Sequence, residues 1–336
     1  MRQLPASYGS DDIVRLRNRL RRDGILFFRR LLPPDDVNAV RRDTLFAISQ
    51  HGWLAAGTDP LLAFPSQPRR YEPIGPDQRN DTENDYFSGY KAIQSLESLH
   101  RLAHAPAVLS VLASLFGTEI LCHPRKIARA IWPDEPDLIT PAHQDFPLVG
   151  GTVDFFTLWV PLGSCPRALG GLRLLRGSHR LGLVHTEPAP GAGGVRLRDV
   201  KNDNPEWMTA DFEAGDAVLF HSLIAHAGMP NTADRIRLSV DYRYQPASEP
   251  VTHMTLAPHF YDRLPDLAPW SEFTAGWQST TWISVPDNIR VIRSGILEVF
   301  NRSGALAENA GTRGGKSQYV DTDAFAAQVA ESQLAV

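Results

Sequence analysis

The sequence predicts a mixed α+β fold with a β-rich core. Apolar residues at helical spacing occur in residues 10–50 and again from Ile93 to Phe116. From about residue 119 to residue 244, short apolar segments alternate with clusters of Gly, Pro and Asn, which is typical of strands joined by turns. A chain of 336 residues is long enough to bury a sizeable core. We therefore expect helices to cover a centre made of strands.

The first 50 residues predict two helices joined by an apolar strand. Ser10 is a candidate N-cap for a helix over residues 11–22, and an apolar strand is expected to follow that helix. The segment Pro33–Asp36 has the composition of a helix start. The second helix has an apolar stripe made of Val37, Val40, Leu45 and Ile48. Both helices are expected to buttress a sheet.

Residues 56–92 predict a lid or a mobile loop, because they are rich in Pro, Gly, Asp, Asn and Tyr without a clear period. Their aromatic residues indicate a bulky, partly apolar ligand. These residues are Tyr71, Tyr86, Phe87 and Tyr90. Residues 182–206 are expected to form a second long loop, within the β-rich core. Its Gly191–Gly194 run lacks a strand before it and a helix after it, which disfavours dinucleotide binding.

A candidate metal site begins at His143-Gln144-Asp145. If residues 139–146 form a short strand, His143 and Asp145 point to one face while Gln144 points away. His226 follows further along the chain as a second histidine. Two histidines and one carboxylate bind Fe(II) on one side and leave the other positions open for substrate and oxygen. The pattern therefore indicates an iron oxygenase.

Arg237 is the candidate anion-binding residue. The turn cluster Gly228–Asn231 separates His226 from a predicted strand over residues 236–242. A hairpin centred between Asn231 and Thr232 would place His226 opposite Arg237, about 5 Å apart at Cβ. The guanidinium could then hold the far carboxylate of a diacid whose near end chelates the metal. Ser239 would lie on the same face and add a hydroxyl.

Other interpretations of these motifs stay open. An isolated His-x-Asp triplet occurs often by chance. His221 closes an apolar strand five residues before His226, so it is a rival ligand, although a core position suits it better. Arg235 shares a face with Arg237 and is a rival anion-binding residue. Lys126 and Arg129 could bind an anionic group, but exposure of both side chains to solvent on one face of the strand explains them about as well.

Several short sequence blocks between Pro141 and Tyr244 follow one another in an order that is also found in other proteins. They are His143–Phe146, Thr157–Leu162, Gly170–Arg173, Arg176–His179, Gly215–Asp216, Phe220–Ser222, His226 with Asn231, and Arg237. This order resembles the phytanoyl-CoA dioxygenase (PhyH-like) family of Fe(II)/2-oxoglutarate oxygenases. The close match covers about a third of the chain, and the family usually has a proline where Arg176 stands.

The resemblance implies a double-stranded β-helix, a cupin-like jelly roll, with helices packed on one face. It implies a single domain over residues 1–300. That domain comprises N-terminal helices and lid (1–118), a jelly-roll core (119–245) and a C-terminal helical segment (246–300). In the last segment, the apolar stripe is Ile289, Ile292, Ile296 and Phe300. Residues 301–336 are expected to be a flexible tail with a possible short helix.

The same resemblance implies the roles of the site residues. His143, Asp145 and His226 become the iron ligands, and Arg237 the partner of the C5 carboxylate of 2-oxoglutarate. Ser239 and Trp159, the latter in the Thr157–Leu162 block, join them as cofactor-site candidates. The expected cofactors are Fe(II), 2-oxoglutarate and O2.

The expected reaction is hydroxylation of an unactivated C–H bond of a small molecule in bacterial specialised metabolism. Related halogenases replace the carboxylate ligand with a small residue, whereas this chain keeps Asp145. Desaturation, epoxidation and cyclisation use the same ligands and stay open. Two alternatives from other classes are a cupin-type isomerase or lyase, and a non-catalytic jelly roll that binds 2-oxoglutarate.

We expect a cytoplasmic protein that is either a monomer or a homodimer. The net charge of −4 and the pI near 6.3 give no general attraction to nucleic acid or an anionic membrane. Cys122 and Cys165 are too few for a disulfide framework, and the first 25 residues do not read as a signal peptide. We expect no apolar run to approach the roughly 20 residues that span a bilayer.

Overall fold

The computed structural model describes residues 1–66, 85–136, 139–192, 194–259 and 270–292. The helices are α1 (Ile13–Asp23), α2 (Pro34–Ser49), α3 (Asp85–Gln94), α4 (Glu97–Leu102), α5 (Pro106–Phe116), α6 (Phe146–Val149) and α7 (Ser271–Thr274). Short 3-10 helices cover Pro60–Leu62, Arg167–Leu169, Ser178–Leu181, His253–Leu256 and Thr281–Ile283.

Most of the strands lie between residues 120 and 246, where the sequence predicts the β-rich core. They are β1 (Arg2–Gln3), β2 (Ala6–Ser7), β3 (Ile25–Phe28), β4 (Ile120–Cys122), β5 (Ile127–Ile131), β6 (Phe156–Pro161), β7 (Leu172–Leu175), β8 (Thr186–Pro188), β9 (Val195–Leu197), β10 (Trp207–Thr209), β11 (Ala217–His221), β12 (His226–Gly228), β13 (Arg237–Pro246), β14 (Val251–Thr252) and β15 (Val291–Ile292).

Two sheets form the core and confirm the predicted jelly-roll arrangement. The smaller sheet has the order β1-β10-β7-β12, and the larger has the order β2-β3-β11-β6-β13-β4, with β5 also paired to β13. Apolar side chains from both sheets meet in one buried cluster, for example Phe27 and Val218 of the larger sheet with Leu174 of the smaller. The outer face of the larger sheet packs on the helices.

Strand β13 separates a polar face from an apolar face. Its even-numbered residues Leu238, Val240, Tyr242 and Tyr244 lie in the cluster shared with the helices. The hydroxyls of Tyr242 and Tyr244 donate to the carbonyls of Leu99 and Ala103, at 2.8 and 2.7 Å, which fixes α4 against the sheet. The odd-numbered residues point to the opposite face. They are Arg237, Ser239, Asp241, Arg243 and Gln245.

The N-terminal helices cover the sheet as the sequence predicts, with one boundary corrected. Helix α1 is capped by Asp12, whose carboxylate accepts from the Arg15 amide at 2.9 Å, so Ser10 is not the cap. The helix ends at Gly24, where φ is 71°. Helix α2 begins at Pro34 as predicted and buries Val37. Proline at the first helical position loses no hydrogen bond there.

Two other segments differ from expectation. Helix α3 (Asp85–Gln94) lies mostly inside the predicted lid and is helical because Phe87, Tyr90 and Ile93 bury one helical face. Residues 67–84, with Tyr71, lie outside the described residues. Between residues 246 and 292 the described chain is mostly irregular. Ile292 lies in β15, which pairs with β14, so the predicted helical stripe is wrong at this point.

The stretch Glu97–Phe116 is a 20-residue segment with a mean hydropathy of 1.3, long and apolar enough to cross a membrane by length and composition alone. It is an exception to the expectation that no run has this length. Helices α4 and α5 divide it, and both contribute buried leucines to the main core. The core helices of soluble proteins pass the same test.

Residues 182–206 contain a hairpin rather than a bare loop. Strands β8 and β9 pair antiparallel with Glu187 opposite Arg196. Gly191 and Gly194 lie in the connection between the two strands, where the described residues include no helix start. Gly193 lies outside the described residues.

Candidate metal centre

The polar side chains of the predicted triplet are fixed by backbone bonds to the β11–β12 region. His143 exchanges two backbone hydrogen bonds with His226, both at 2.9 Å. The Asp145 amide donates to the carbonyl of Ser222 at 3.0 Å. The predicted strand is wrong beyond His143, because Asp145 has φ −75° and ψ −33° and precedes α6. The two ligand candidates still converge, since the chain turns immediately after Asp145.

His143, Asp145 and His226 form a buried cluster of potential metal ligands. One ligand atom from each lies within 4.8 Å of the other two. The Nε2 atoms of the two histidines are 3.7 and 3.8 Å from Asp145 Oδ1. All three side chains are buried. The sequence therefore identified three residues that the fold does bring together.

The two imidazoles are oriented for metal binding. His143 Nδ1 donates to the carbonyl of Pro141 at 2.8 Å, and His226 Nδ1 donates to the carbonyl of Ile224 at 2.9 Å. With the proton on Nδ1, the lone pair of each Nε2 faces Asp145. Burial lowers the pKa of His226 to about 3, so this imidazole is neutral. Carbonyl partners of this kind fix the tautomer of metal-binding histidines.

Asp145 is held as a carboxylate. Burial alone would raise its pKa, but the adjacent positive charge of Arg243 is the largest opposing effect and the pKa lies well below its usual range. Arg243 Nη2 donates to Oδ1 at 3.1 Å, and the Thr157 hydroxyl donates to Oδ2 at 2.5 Å. This donor set fits Fe(II), because two imidazole nitrogens and one carboxylate oxygen lie close enough together to bind one ion.

Gln144 points away from the cluster, as predicted. Its amide nitrogen donates to the carbonyls of Gly182 and Leu223, both at 2.8 Å. Its amide oxygen accepts from the Val184 backbone at 2.9 Å. The middle residue of the triplet therefore ties the metal-ligand segment to two neighbouring loops.

The predicted hairpin between His226 and Arg237 is wrong. His226 lies in β12 opposite Leu174 of the smaller sheet, whereas Arg237 lies in β13 opposite Ile131 of the larger sheet. The connection crosses between sheets instead of reversing within one. Asn231 anchors this crossing, because its amide nitrogen donates to the carbonyls of Ile131 and Arg235 at 3.0 and 2.8 Å.

Arg237 is nevertheless buried on the polar face of β13. Its Nε donates to the carbonyl of Gly170 at 2.8 Å, and its Nη1 donates to Ser239 Oγ at 2.5 Å. Burial lowers the pKa of Arg237 to about 10. Among the described residues no carboxylate lies within ion-pair distance of this guanidinium. Ser239 lies on the same face, as the alternation predicts.

The rival residues occupy other places. Arg235 is exposed and pairs with its neighbour Asp234 at 2.9 Å. His221 Nδ1 accepts from the Leu223 amide at 3.1 Å, and its ring lies edge-on to Phe156, outside the cluster. Trp159 packs against Phe212 in the core between the sheets.

Lys126 and Arg129 differ sharply from each other. Lys126 is fully buried, and its Nζ donates to Cys122 Sγ at 3.0 Å and to the carbonyl of His123. The solvated-face interpretation is therefore wrong for Lys126. Arg129 pairs with Asp241 at 2.9 Å on the polar face of β13.

Sequence reasoning missed Thr157, Arg243 and the Arg129–Asp241 pair. The sequence did carry a signal for Asp241 and Arg243, because the alternation that begins at Arg237 places both on the face of that arginine. Thr157 carried no such signal. Its hydroxyl reaches Asp145 from β6, a contact that neither residue type nor alternation specifies.

A comparison with protein families decides the affiliation. The model of the phytanoyl-CoA dioxygenase (PhyH) family matches residues 20–239. The chain belongs to this family. A curated relative, the 1-deoxypentalenic acid 11-beta-hydroxylase of Streptomyces arenae, is 34% identical over 157 residues, which cover 43% of this chain and 55% of the relative. The chain thus spans about half the length of the curated relatives it matches.

Solved structures share the fold at low identity. The alpha-ketoglutarate-dependent carbocyclase SnoK from nogalamycin biosynthesis has a TM-score of 0.51 at 19% identity, covering 74% of this chain and 89% of SnoK. The epimerase SnoN, in complex with Fe3+, alpha-ketoglutarate and nogalamycin RO, has a TM-score of 0.50 at 19% identity, covering 71% of this chain and 85% of SnoN. At this identity the likeness shows the fold alone.

Proposed function

We propose that this protein is an Fe(II)- and 2-oxoglutarate-dependent oxygenase that hydroxylates a C–H bond of a small molecule in bacterial specialised metabolism. The observation that carries the proposal is the buried cluster of His143, Asp145 and His226, whose ligand atoms lie within 4.8 Å of one another. Family membership and the name of the hydroxylase relative support it.

The residues of the chain would hold the metal and its surroundings. Bound Fe(II) would couple the oxidative decarboxylation of 2-oxoglutarate by O2 to oxidation of a substrate C–H bond. Thr157 and Arg243 fix the two oxygens of Asp145, so the carboxylate presents a constant orientation. Because the three ligands are buried, the site excludes bulk water except where substrate enters.

Arg237 is the proposed partner of the distal carboxylate of 2-oxoglutarate. A buried guanidinium without a carboxylate partner is costly, and a dicarboxylate ligand would supply the missing charge. Ser239 already contacts Arg237 and can share the same carboxylate. For Trp159 we propose only a packing role in the core between the two sheets.

Hydroxylation is the favoured outcome because the ligand carboxylate is present and fully engaged. Asp145 accepts hydrogen bonds from both Thr157 and Arg243. Its carboxylate therefore occupies the coordination position that a halide would need. The hydroxylase relative points to the same reaction type. A reducing, cytoplasmic setting is part of the proposal, and Cys122 and Cys165 are both free thiols.

The decisive experiment is anaerobic reconstitution with Fe(II) and 2-oxoglutarate. One Fe(II) should bind per chain, the complex should show a metal-to-ligand absorption band, and O2 should yield succinate. His226→Ala should abolish all three effects, since loss of one ligand leaves a weak site. Stoichiometric iron binding with unchanged succinate formation in His226→Ala would exclude the proposed ligand set. Metal binding without any succinate would favour a cupin-type enzyme of another class.

The cosubstrate assignment is tested by replacing Arg237. Removing one partner of a buried charge pair typically costs on the order of 2–5 kcal/mol, so Arg237→Ala should weaken 2-oxoglutarate by roughly 30-fold or more. Arg237→Lys should also weaken 2-oxoglutarate more than iron, because an ammonium lacks the planar fork. Arg235→Ala is the matched control and should bind normally. The assignment fails if the effects of the two arginines are reversed.

A further inference from the structure

Cys122 and Lys126 form a close pair at the connection between β4 and β5. Both side chains are buried. Lys126 Nζ lies 3.0 Å from Cys122 Sγ, as close as in an ordinary N–H···O hydrogen bond although sulfur is the larger atom. Lys126 also donates to the carbonyl of His123, which lies 3.8 Å from the same sulfur. The connection between the two strands therefore holds an amine against a thiol in a space closed to bulk solvent.

The amine favours the thiolate form of Cys122. Burial raises the pKa of this thiol, but the charge of Lys126 and the contact with His104 lower it, and the resulting pKa is about 7. A buried ammonium needs a compensating charge, and a thiolate in contact with it supplies one. The thiolate is also the form that reacts with oxidants.

Cys165 serves as the reference for an ordinary buried thiol in the same chain. It is also free, and it packs in the apolar core between the two sheets. Burial raises its pKa to about 11, so it stays protonated and unreactive. Cys122 lies in the cluster shared with the helices, on the other face of the larger sheet. The two thiols are therefore not placed to form a disulfide with each other.

The distance between the nitrogen and the sulfur restricts the product of oxidation. A gap of 3.0 Å is too long for a direct S–N bond, whereas one intervening oxygen atom spans it. Burial excludes bulky thiols such as glutathione, while dioxygen is small and apolar enough to enter a packed interior. An oxidised Cys122 therefore has the amine of Lys126 as its adjacent reaction partner.

We propose that Cys122 and Lys126 are a covalent modification site, at which dioxygen joins Sγ to Nζ through one bridging oxygen atom. The S–H bond and one N–H bond break, and an S–O and an O–N bond form. The second oxygen atom of dioxygen leaves as water with the two hydrogens. Sulfur and nitrogen each lose two electrons, which together reduce dioxygen completely. A dithiol reductant supplies the four electrons that restore the free thiol and amine and release the bridging oxygen as water.

The bridge would change the interior beside the larger sheet. It replaces a buried ammonium and thiolate with a neutral linkage, which removes two charges from the core. It also links the end of β4 to the residue before β5, and both strands pair with β13. Neither Cys122 nor Lys126 belongs to the metal cluster, so this modification goes beyond the proposed oxygenase function and does not depend on it.

Intact-protein mass spectrometry tests the proposal on the full-length wild-type chain. One sample is kept anaerobic with dithiothreitol, and a second is freed of reductant and exposed to air. The air-exposed sample should contain a species heavier by one oxygen atom less two hydrogen atoms. The change should map to the tryptic peptides that carry Cys122 and Lys126, and dithiothreitol should reverse it. Dioxygen made of the heavy oxygen isotope should place that isotope in the bridge.

Thiol labelling gives a second readout with Cys165 as the internal control. Iodoacetamide added after unfolding without reductant should label Cys165 in both samples, but it should label Cys122 fully in the reduced sample alone. Cys122→Ser and Lys126→Met should each prevent the mass change, whereas Cys165→Ser should retain it. Both wild-type samples have the same sequence, so the test stands even if a variant fails to fold.

Several results would overturn the proposal. One is full labelling of Cys122 after exposure to air. Another is the gain of whole oxygen atoms on Cys122 without loss of hydrogen, since that product is a sulfur acid that leaves Lys126 unmodified. A mass change that persists in Lys126→Met, resists dithiothreitol or lacks the heavy isotope would likewise exclude the bridge. Iron binding and succinate formation would be unaffected by any of these results, so the oxygenase function is tested separately.

Discussion

Replacing Thr157 with valine tests whether the hydrogen bond to Asp145 prepares the metal site. The change removes one hydroxyl and keeps the shape of the side chain. In the structure that hydroxyl donates to Asp145 Oδ2 at 2.5 Å, with both residues buried. A hydrogen bond to a charged group contributes about 1.5–3 kcal/mol, and the valine leaves one carboxylate oxygen without this donor.

The expected consequence is weaker iron binding. A loss of about 2 kcal/mol corresponds to roughly 30-fold in a dissociation constant. This lies within the roughly 10- to 100-fold range typical for partners of metal ligands. Competition with a chromophoric chelator under anaerobic conditions measures the affinity directly, and thermal unfolding of the metal-free protein reports on the fold.

Thr44→Val is the matched control. Thr44 is also a buried threonine, but its hydroxyl donates to the Val40 carbonyl within α2 at 2.8 Å, away from the metal cluster. This control should leave the iron affinity unchanged. If Thr157→Val folds normally and binds iron within twofold of the wild type, the argument that Asp145 depends on this donor is refuted.

Three further predictions concern neighbouring features. His221→Asn should keep iron affinity within threefold, and loss of metal binding in an anaerobic titration would make His221 a ligand. Burial lowers the pKa values of His100 and His123 to about 3. Both histidines therefore take up a proton on unfolding between about pH 6.5 and 3. As the pH is lowered through this range, the free energy of unfolding measured by urea denaturation should fall by about 1 kcal/mol per pH unit for each histidine. Equal stability at pH 7 and pH 5 would contradict this. Gly170 has φ 75° and a Cβ there would lie 2.5 Å from a backbone carbonyl, so Gly170→Ala should lower the free energy of unfolding by about 1–3 kcal/mol, whereas Gly276→Ala should not.

The sequence predicted the residues of the metal cluster better than the path of the backbone between them. His143, Asp145 and His226 were identified from residue type and order, and their convergence is confirmed. The local reasons were partly wrong, because Asp145 turns into α6 and the segment after His226 crosses to the other sheet. Strand pairing across two sheets depends on contacts distant in sequence, which a short hydrophobic pattern does not specify.

The helical side was predictable where the apolar spacing was strong. Helix α2 follows its stripe and starts at the expected proline. Helix α3 was missed within the predicted lid, because its mixed polar and aromatic residues resemble a loop when burial is unknown. Arg243 was overlooked, and a solvent-exposed position was considered an equal explanation for Arg129. A charged residue in a strand looks solvated when it is considered alone, although the alternation from Arg237 already indicated that Arg243 shares the face of the candidate anion-binding residue.

The two faces of β13 have a consequence for how this enzyme can change over evolutionary time. Side chains that hold the helices and side chains that line the interior alternate along the same ten residues. A substitution at an odd-numbered position can therefore alter what the interior accepts while the helical packing stays intact. Insertion or deletion of a single residue would exchange the two faces over the rest of the strand. We expect lineages of this protein to diversify by replacement along β13 and to tolerate length changes only outside it.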